Sequence, residues 1–367
     1  MKVMDFLARD HRSTTNNFVL VVLLFFAVTS GGFGAEKAGP ADAKPVPATD
    51  KQKGRDLVHS FRSDLVLVEG KSGRGSGFIG LIKGRKFLIT NAHVMAGIKG
   101  ARFKTLDGGP LKLEPAAAVA VDHDIVIWGV AEGGTGIPLM SGVATNASIG
   151  DAVVVPGNVG GEGVVNAVDG EIAGIGPNLV EVNAGIEPGS SGSPVIHVSS
   201  GKVIGVATYL SVRRLFSSEG ESGKPKQTVR RFGYRLDTVA QWQPINWTRF
   251  YAEADVLEKA DNTTEELGQV IVDLDASAKA RKASRTYAFE STEIRGALDS
   301  YYADLGSGNG SGSGAAQTLL TSLRNTSQNG LPAVRASLTY DFFKRRLEED
   351  EVRRRELIDV FDQVLTK

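Results

Sequence analysis

The 367-residue chain carries 42 basic and 42 acidic residues and no cysteine. Its formal net charge of zero gives no global attraction to nucleic acid or to an anionic membrane. The lack of cysteine excludes a thiol nucleophile, a disulfide framework and a cysteine-ligated zinc site. At roughly 150 residues per domain, this length fits about two domains.

Lys2, Arg9 and Arg12 precede an uncharged apolar run, Phe18 to Val28, and small residues follow it. A basic start, an apolar stretch and small residues describe a secretory signal. The run is shorter than the roughly 20 apolar residues of a spanning helix. Residues 1–30 are therefore expected to be a signal peptide, or a membrane tether through residues 18–28 if uncleaved. Residues 31–55 are rich in Ala, Pro, Lys and Gly without apolar periodicity, and read as a flexible linker.

Residues 56–240 read as β-rich. Short runs at 64–70, 75–82, 86–91, 124–130, 151–157, 178–183, 193–198 and 202–210 are rich in β-branched residues, and Gly, Pro or Asn bounds most of them. Many such strands without intervening helical patterns predict a sandwich or barrel. The polar stretch 217–229 reads as an exposed loop.

After about residue 245 the composition becomes helical, at 247–260, 265–283 and 289–305, with a Gly/Ser break at 306–314. One long helix is expected from Pro332 to Leu365, because proline suits a first helical turn. Leu338, Phe342, Leu347, Leu357, Phe361 and Leu365 give it an apolar face. Glu349 with Arg353 and Asp350 with Arg354 are acid-before-base pairs four apart, which support an exposed helix. Residues 241–367 thus form an expected α-helical region. The basic stretches 281–285 and 353–355 read as solvated helix faces.

The chemistry starts from histidine, the commonest base for a serine nucleophile. Of the five, His11 lies in the targeting segment and His59 at the entrance to the β-rich region. His123 stands beside an aspartate, His197 lies in an alternating strand, and His93 ends the run FLITNAHV. Taken alone, each is more readily structural than catalytic. The turn PGSSGSPVI, residues 188–196, can present a serine outward and turn backbone N–H groups toward one point. An ordinary Gly/Ser turn would read the same way. In VDHDIVIWGV, residues 121–130, Asp124 leads an apolar strand, where a carboxylate can orient an imidazole. It could equally cap the strand or pair locally with His123.

In the order His, Asp, Ser, these segments resemble the trypsin-like superfamily, especially its bacterial high-temperature-requirement (DegP-like) branch. TNAHV is similar to that family's T-A-A-H-V segment, DHDIVIW to D-I-A-V-I, and PGSSGSPVI to G-N-S-G-G-P-[LV]. GSGFIG, residues 75–80, and KVIGVATYL, residues 202–210, resemble the strands before the histidine and after the serine. The order argues against an α/β-hydrolase, in which the serine comes first.

The resemblance implies a mainly β fold, a double antiparallel β-barrel of chymotrypsin type, followed by the α-helical C-terminal region. It implies a serine endopeptidase without cofactor or metal, acting on protein or peptide substrates in the bacterial periplasm or cell envelope. Ser191 would be the nucleophile, His93 the general base and Asp124 its orienting acid, with Asp122 the alternative acid. The N–H groups of Gly189 and Ser191 would form the oxyanion hole. Gly185, Ala207, Thr208 and Tyr209 would contribute to substrate binding. Gly185, six residues before the nucleophile, stands where basic specificity would need an acid, so a small or medium apolar P1 residue is expected.

Two departures are visible: Ser190 takes the family's Asn or Asp position, and Ser193 its second glycine. No PDZ-type carboxylate loop is recognisable. The rival readings are a non-catalytic peptide-binding relative, or an envelope chaperone or scaffold acting through its cleft or helical tail.

Overall fold

A computed structural model describes residues 20–22, 46–71, 73–158, 165–187, 189–215, 226–275, 292–307 and 313–365. These fall into two compact units that divide between Tyr251 and Ala252. Most of the expected signal segment lies outside the described residues. Within it, a short strand β1 (Leu20–Val22) is described. No helix among the described residues is long and apolar enough to cross a membrane.

After β1, the first unit continues with helix α1 (Ala48–Ser60). The end of the expected linker is therefore helical, not flexible. Its composition hides this, because α1 buries only Gly54 and Val58 and is otherwise polar. The first sheet follows, with β2 (Leu65–Glu69), β3 (Arg74–Ile82) and β4 (Arg85–Thr90), then helix α2 (Ala92–Gly97). It continues through β5 (Arg102–Thr105), β6 (Lys112–Ala120), β7 (Val126–Glu132) and β8 (Ile137–Pro138). A one-turn helix α3 (Val143–Asn146) leads to β9 (Ala152–Gly157), β10 (Asn166–Ile175), β11 (Leu179–Val182), β12 (Pro194–His197), β13 (Lys202–Leu215) and β14 (Lys226–Tyr234). A 3-10 turn at Leu236–Thr238 and strand β15 (Trp242–Pro244) complete it.

The strand order is β15-β6-β7-β4-β3-β2-β5 in the first sheet, with β8 against β3. In the second it is β1-β13-β12-β9-β10-β11-β14, and β13 also pairs with β14, which closes a barrel. Only the β3–β8 pairing is parallel between named strands. The fold is thus mainly β with helices after it, as the resemblance implied. Alternation explains the cores. Leu65, Phe78 and Ile89 share one face of the first sheet and pack with Val154, Ile196 and Val206 of the second. Val66, Ile79, Leu88 and Val130 pack on the other face. Val153, Val155, Val180, Val182, Val195 and Ile204 fill the second barrel.

All eight strand runs read from the sequence lie on strands. Of the polar stretch 217–229 expected to be a loop, residues 217–225 lie outside the described residues, and Lys226–Val229 is strand, opening β14. Backbone pairing with Val212–Leu215 of β13 holds these four residues there despite the polar composition. Beside β14, Arg235 and Asp237 form a buried ion pair at 2.8 Å. Burial alone would raise the Asp237 carboxyl, but hydrogen bonds from the Arg235 side chain and the Val143 N–H hold it below the usual aspartate range.

Helix α4 (Trp247–Asp275) crosses the division between the units. The second unit adds α5 (Thr292–Ser307), α6 (Ser313–Gln328), α7 (Leu331–Ser337) and α8 (Asp341–Leu365). Leu267, Val270, Ile294, Leu298, Leu319, Leu320, Leu323 and Phe361 form its core. The single helix expected from Pro332 to Leu365 is broken at 338–340. There Glu253 accepts from the N–H groups of Thr339 and Tyr340 at 2.9 and 3.0 Å, capping α8. Asp350 and Arg354 are not an exposed pair: they are 0% and 2% exposed. Arg353 bonds to Asp350 and Asp261, so this part of the basic stretch 353–355 is not a solvated face.

Candidate active site

His93 lies at the start of α2, after the extended residue Asn91. Its ring nitrogen Nδ1 is 2.5 Å from Asp124 Oδ2, and its backbone N–H donates to Asp124 Oδ1 at 2.9 Å. Thr208 Oγ1 donates to the same Oδ2 at 3.0 Å. Asn91 Nδ2 donates to the Asp124 carbonyl at 2.8 Å. An ionised carboxylate only accepts, so the imidazole proton sits on Nδ1 and Nε2 keeps a lone pair for base chemistry. The His93 side chain is 35% exposed and that of Asp124 only 11%, so the imidazole is reachable while the carboxylate is shielded.

Asp122, the alternative acid, is engaged elsewhere. It meets His123 Nδ1 at 2.7 Å, while His123 Nε2 reaches Thr238 Oγ1 at 2.9 Å and the ring packs on Tyr234. His197 is likewise taken up, by Ser200 Oγ at 2.9 Å and Asp151 Oδ2 at 3.1 Å.

Ser191 stands in the turn before β12. Its hydroxyl donates to the Thr208 carbonyl at 3.2 Å, not to His93. Thr208 therefore bridges the two halves of the site, touching Asp124 through its side chain and Ser191 through its backbone. Sequence reading marked Thr208 for substrate binding and missed this bridge, because it depends on where β13 lies across from β7.

The turn is tied to the first barrel. Ser76 N–H donates to the Ser191 carbonyl at 2.9 Å, and Ser76 Oγ to the Gly189 carbonyl at 2.8 Å. Nothing in GSGFIG singled out Ser76 for this. Gly189 and Gly192 hold φ of 95° and 91°, backbone that L side chains rarely adopt. No acceptor is described for the N–H groups of Gly189 and Ser191, whereas the Ser190 N–H donates to the Glu187 carbonyl at 3.0 Å. Of the two departures from the family pattern, Ser193 is buried and donates to the Pro156 carbonyl at 2.6 Å. Ser190 is 1% exposed, and its hydroxyl has no partner among the described residues.

A methyl group at Gly192 would lie 2.0 Å from the Ser76 carbonyl oxygen. Gly192→Ala is expected to lower stability by about 2–4 kcal/mol, from positive φ and overpacking together. A thermal melt of purified protein checks this, and an unchanged melting temperature would contradict the tight seat.

Of the tentative binding residues, Ala207 is opposed to Gly233 and Tyr209 to Phe232 on β14, and Gly185 stands in the segment leading to Ser191. No group of three or more His, Cys, Asp or Glu among the described residues could hold a metal ion.

The family model for a trypsin-like peptidase domain matches residues 75–206, a span that contains His93, Asp124 and Ser191. No curated protein matches the chain. Among solved structures, the inactive serine-to-alanine form of Rv3671c from M. tuberculosis H37Rv is 23% identical. That match covers 55% of this chain and 94% of the other, with a TM-score of 0.39. The serine endoprotease from Yersinia pestis is also 23% identical, over 52% of this chain and 63% of its own, with a TM-score of 0.36. Residues 75–206 of this chain are thus similar to a trypsin-like peptidase domain.

Proposed function

We propose that the chain is a serine endopeptidase with Ser191 as nucleophile, His93 as general base and Asp124 as orienting acid. The observation that carries this is the hydrogen-bonded series from His93 through Asp124 and Thr208 to Ser191. Rotation of the Ser191 side chain would move its hydroxyl from the Thr208 carbonyl toward His93 Nε2. Catalytic hydrogen bonds are often looser before substrate binds.

In the proposed reaction, Ser191 Oγ bonds to the scissile carbonyl carbon and its proton passes to His93 Nε2. The Gly189 and Ser191 N–H groups hold the developing oxyanion. The C–N bond then breaks as His93 gives the proton to the leaving amine. Water, deprotonated by His93, then bonds to the acyl carbon, and the C–Oγ bond breaks as His93 returns the proton to Ser191. Asp124 stabilises the imidazolium at each stage, and Thr208 fixes the carboxylate. The apolar run behind Lys2, Arg9 and Arg12 supports export to the periplasm or cell envelope as the setting.

The bond from Ser191 to Thr208 also favours a second reading, a non-catalytic relative that binds peptides in the same cleft. Labelling by an organophosphonate separates the two. Wild type should be labelled and Ser191→Ala should not. Labelling that survives the mutation would overturn the nucleophile assignment, and an unreactive wild type would favour the peptide-binding reading.

A further inference from the structure

Inside the second barrel stands an arginine that the proposed reaction does not use. Residues opposed across a sheet share a face. Arg231 on β14 is opposed to Val182, and Gly233 two residues on is opposed to Val180 and Ala207. Val180, Val182 and Ala207 belong to the barrel core, so Arg231 faces inward. Arg230, on the other face, pairs with Glu181 at 2.5 Å.

Two short backbone paths connect Arg231 with Ser191. Along one, the Ser191 hydroxyl meets the Thr208 carbonyl, and Leu210, two residues further on β13, is opposed to Arg231. Along the other, the Ser190 N–H meets the Glu187 carbonyl, and the adjacent Ile186 carbonyl accepts from Arg231 Nε at 3.2 Å. These are the two segments expected to line the P1 pocket. Between them Gly185 offers no side chain, and a Cβ there would meet nothing closer than Val168 at 3.6 Å.

Arg231 is half-buried, and burial lowers its guanidinium from the usual range despite attraction from the exposed Glu187. No ion pair to it is found among the described residues, whereas Arg230 and Arg235 each hold a carboxylate. A buried cation ordinarily has an anionic partner, and a guanidinium fork fits a carboxylate with two hydrogen bonds.

We propose that Arg231 binds the carboxylate of an acidic P1 side chain, so that Glu or Asp precedes the scissile bond. This rests on Ser191 being the nucleophile. It replaces the apolar P1 residue expected from Gly185, since that expectation looked only at the position six residues before the nucleophile. The charge comes instead from a strand 40 residues after Ser191.

The test uses the full chain and fluorogenic peptides that differ only at P1, carrying Glu, Asp, Gln, Val or Lys. A separate aliquot of each preparation is labelled with a fluorophosphonate that has no P1 side chain, to count reactive sites. Wild type should favour Glu over its isostere Gln by at least about tenfold in kcat/KM. Arg231→Gln should bring that ratio close to one, and Arg231→Lys should retain part of it. A labelled wild type that prefers Val or Gln overturns the proposal whatever the variants do, and leaves the endopeptidase reading intact. A Glu/Gln ratio unchanged in Arg231→Gln, with labelling retained, also overturns it. Labelling that persists in Ser191→Ala instead removes the reading on which the proposal rests.

Discussion

Replacing Asp124 by asparagine is expected to lower kcat for peptide hydrolysis by about four orders of magnitude. The carboxylate accepts hydrogen bonds from three described donors, His93 Nδ1, His93 N–H and Thr208 Oγ1. Asparagine has the same shape but presents an NH2 group on one side. If that group faces His93, Nδ1 must accept, and the imidazole proton moves to Nε2. The base then points a proton at the nucleophile instead of a lone pair. The charge that would stabilise the imidazolium is lost as well. KM should change far less than kcat, because Asp124 is shielded and does not touch substrate. Single-turnover kinetics with a cleavable peptide check both quantities. A loss below about tenfold would mean that Asp124 holds the loop and not the tautomer. Thr208→Val removes one of the three donors, and gives a milder form of the same experiment.

The second large effect is expected in the helical unit. Arg354→Leu should destabilise it by about 3–5 kcal/mol, because the buried Asp350 keeps only Arg353 of its two guanidinium partners and the groups Arg354 donates to lose theirs. Arg354 Nε reaches both Asp350 Oδ2 and Thr264 Oγ1 at 2.8 Å. Its Nη1 donates to the Ser327 carbonyl at 3.0 Å and its Nη2 to the Ala260 carbonyl at 2.5 Å. One side chain therefore satisfies groups on α4, α6 and α8. Burial raises the nearby Asp261 carboxyl, while Arg346 and Arg353 pull it back, so the cluster tolerates little loss of positive charge. Replacing Asp350 and Arg354 together by apolar residues should cost much less than the single change, since no buried charge is left unpaired. Urea unfolding followed by helical signal measures this, with each transition fitted separately because the chain has two units. Equal losses in the single and double variants would show that packing, and not charge, dominates.

Much of the candidate site was legible because the residues proposed for its chemistry lie in short local motifs. TNAHV, DHDIVIW and PGSSGSPVI each place one reactive group beside a recognisable strand. The resemblance favoured Asp124 over the neighbouring Asp122, but what each acid touches was not legible. Asp122 and Asp124 differ by two positions, and only the folded backbone sends one to His123 and the other to His93. Helix α1 escaped notice because it hides little apolar surface, and β14 because its first residues are polar. The Asp350–Arg354 pair misled in another way. A spacing of four puts acid and base side by side on a helix whether that side faces water or a core.

By itself, the sequence determined the β-rich region, the helical region after it and the reactive residue types in their order. These follow from β-branched runs, helical composition and short motifs, all of which act over a few neighbouring residues. Tertiary structure alone decided which groups meet. Thr208 joins Asp124 to Ser191 only because β13 crosses the site, and Ser76 anchors the Ser191 turn from 115 positions earlier in the chain. Arg231 faces inward only because β14 takes one register against β11. A shift of one residue would turn it to solvent, and that register is fixed by the packing of the whole barrel.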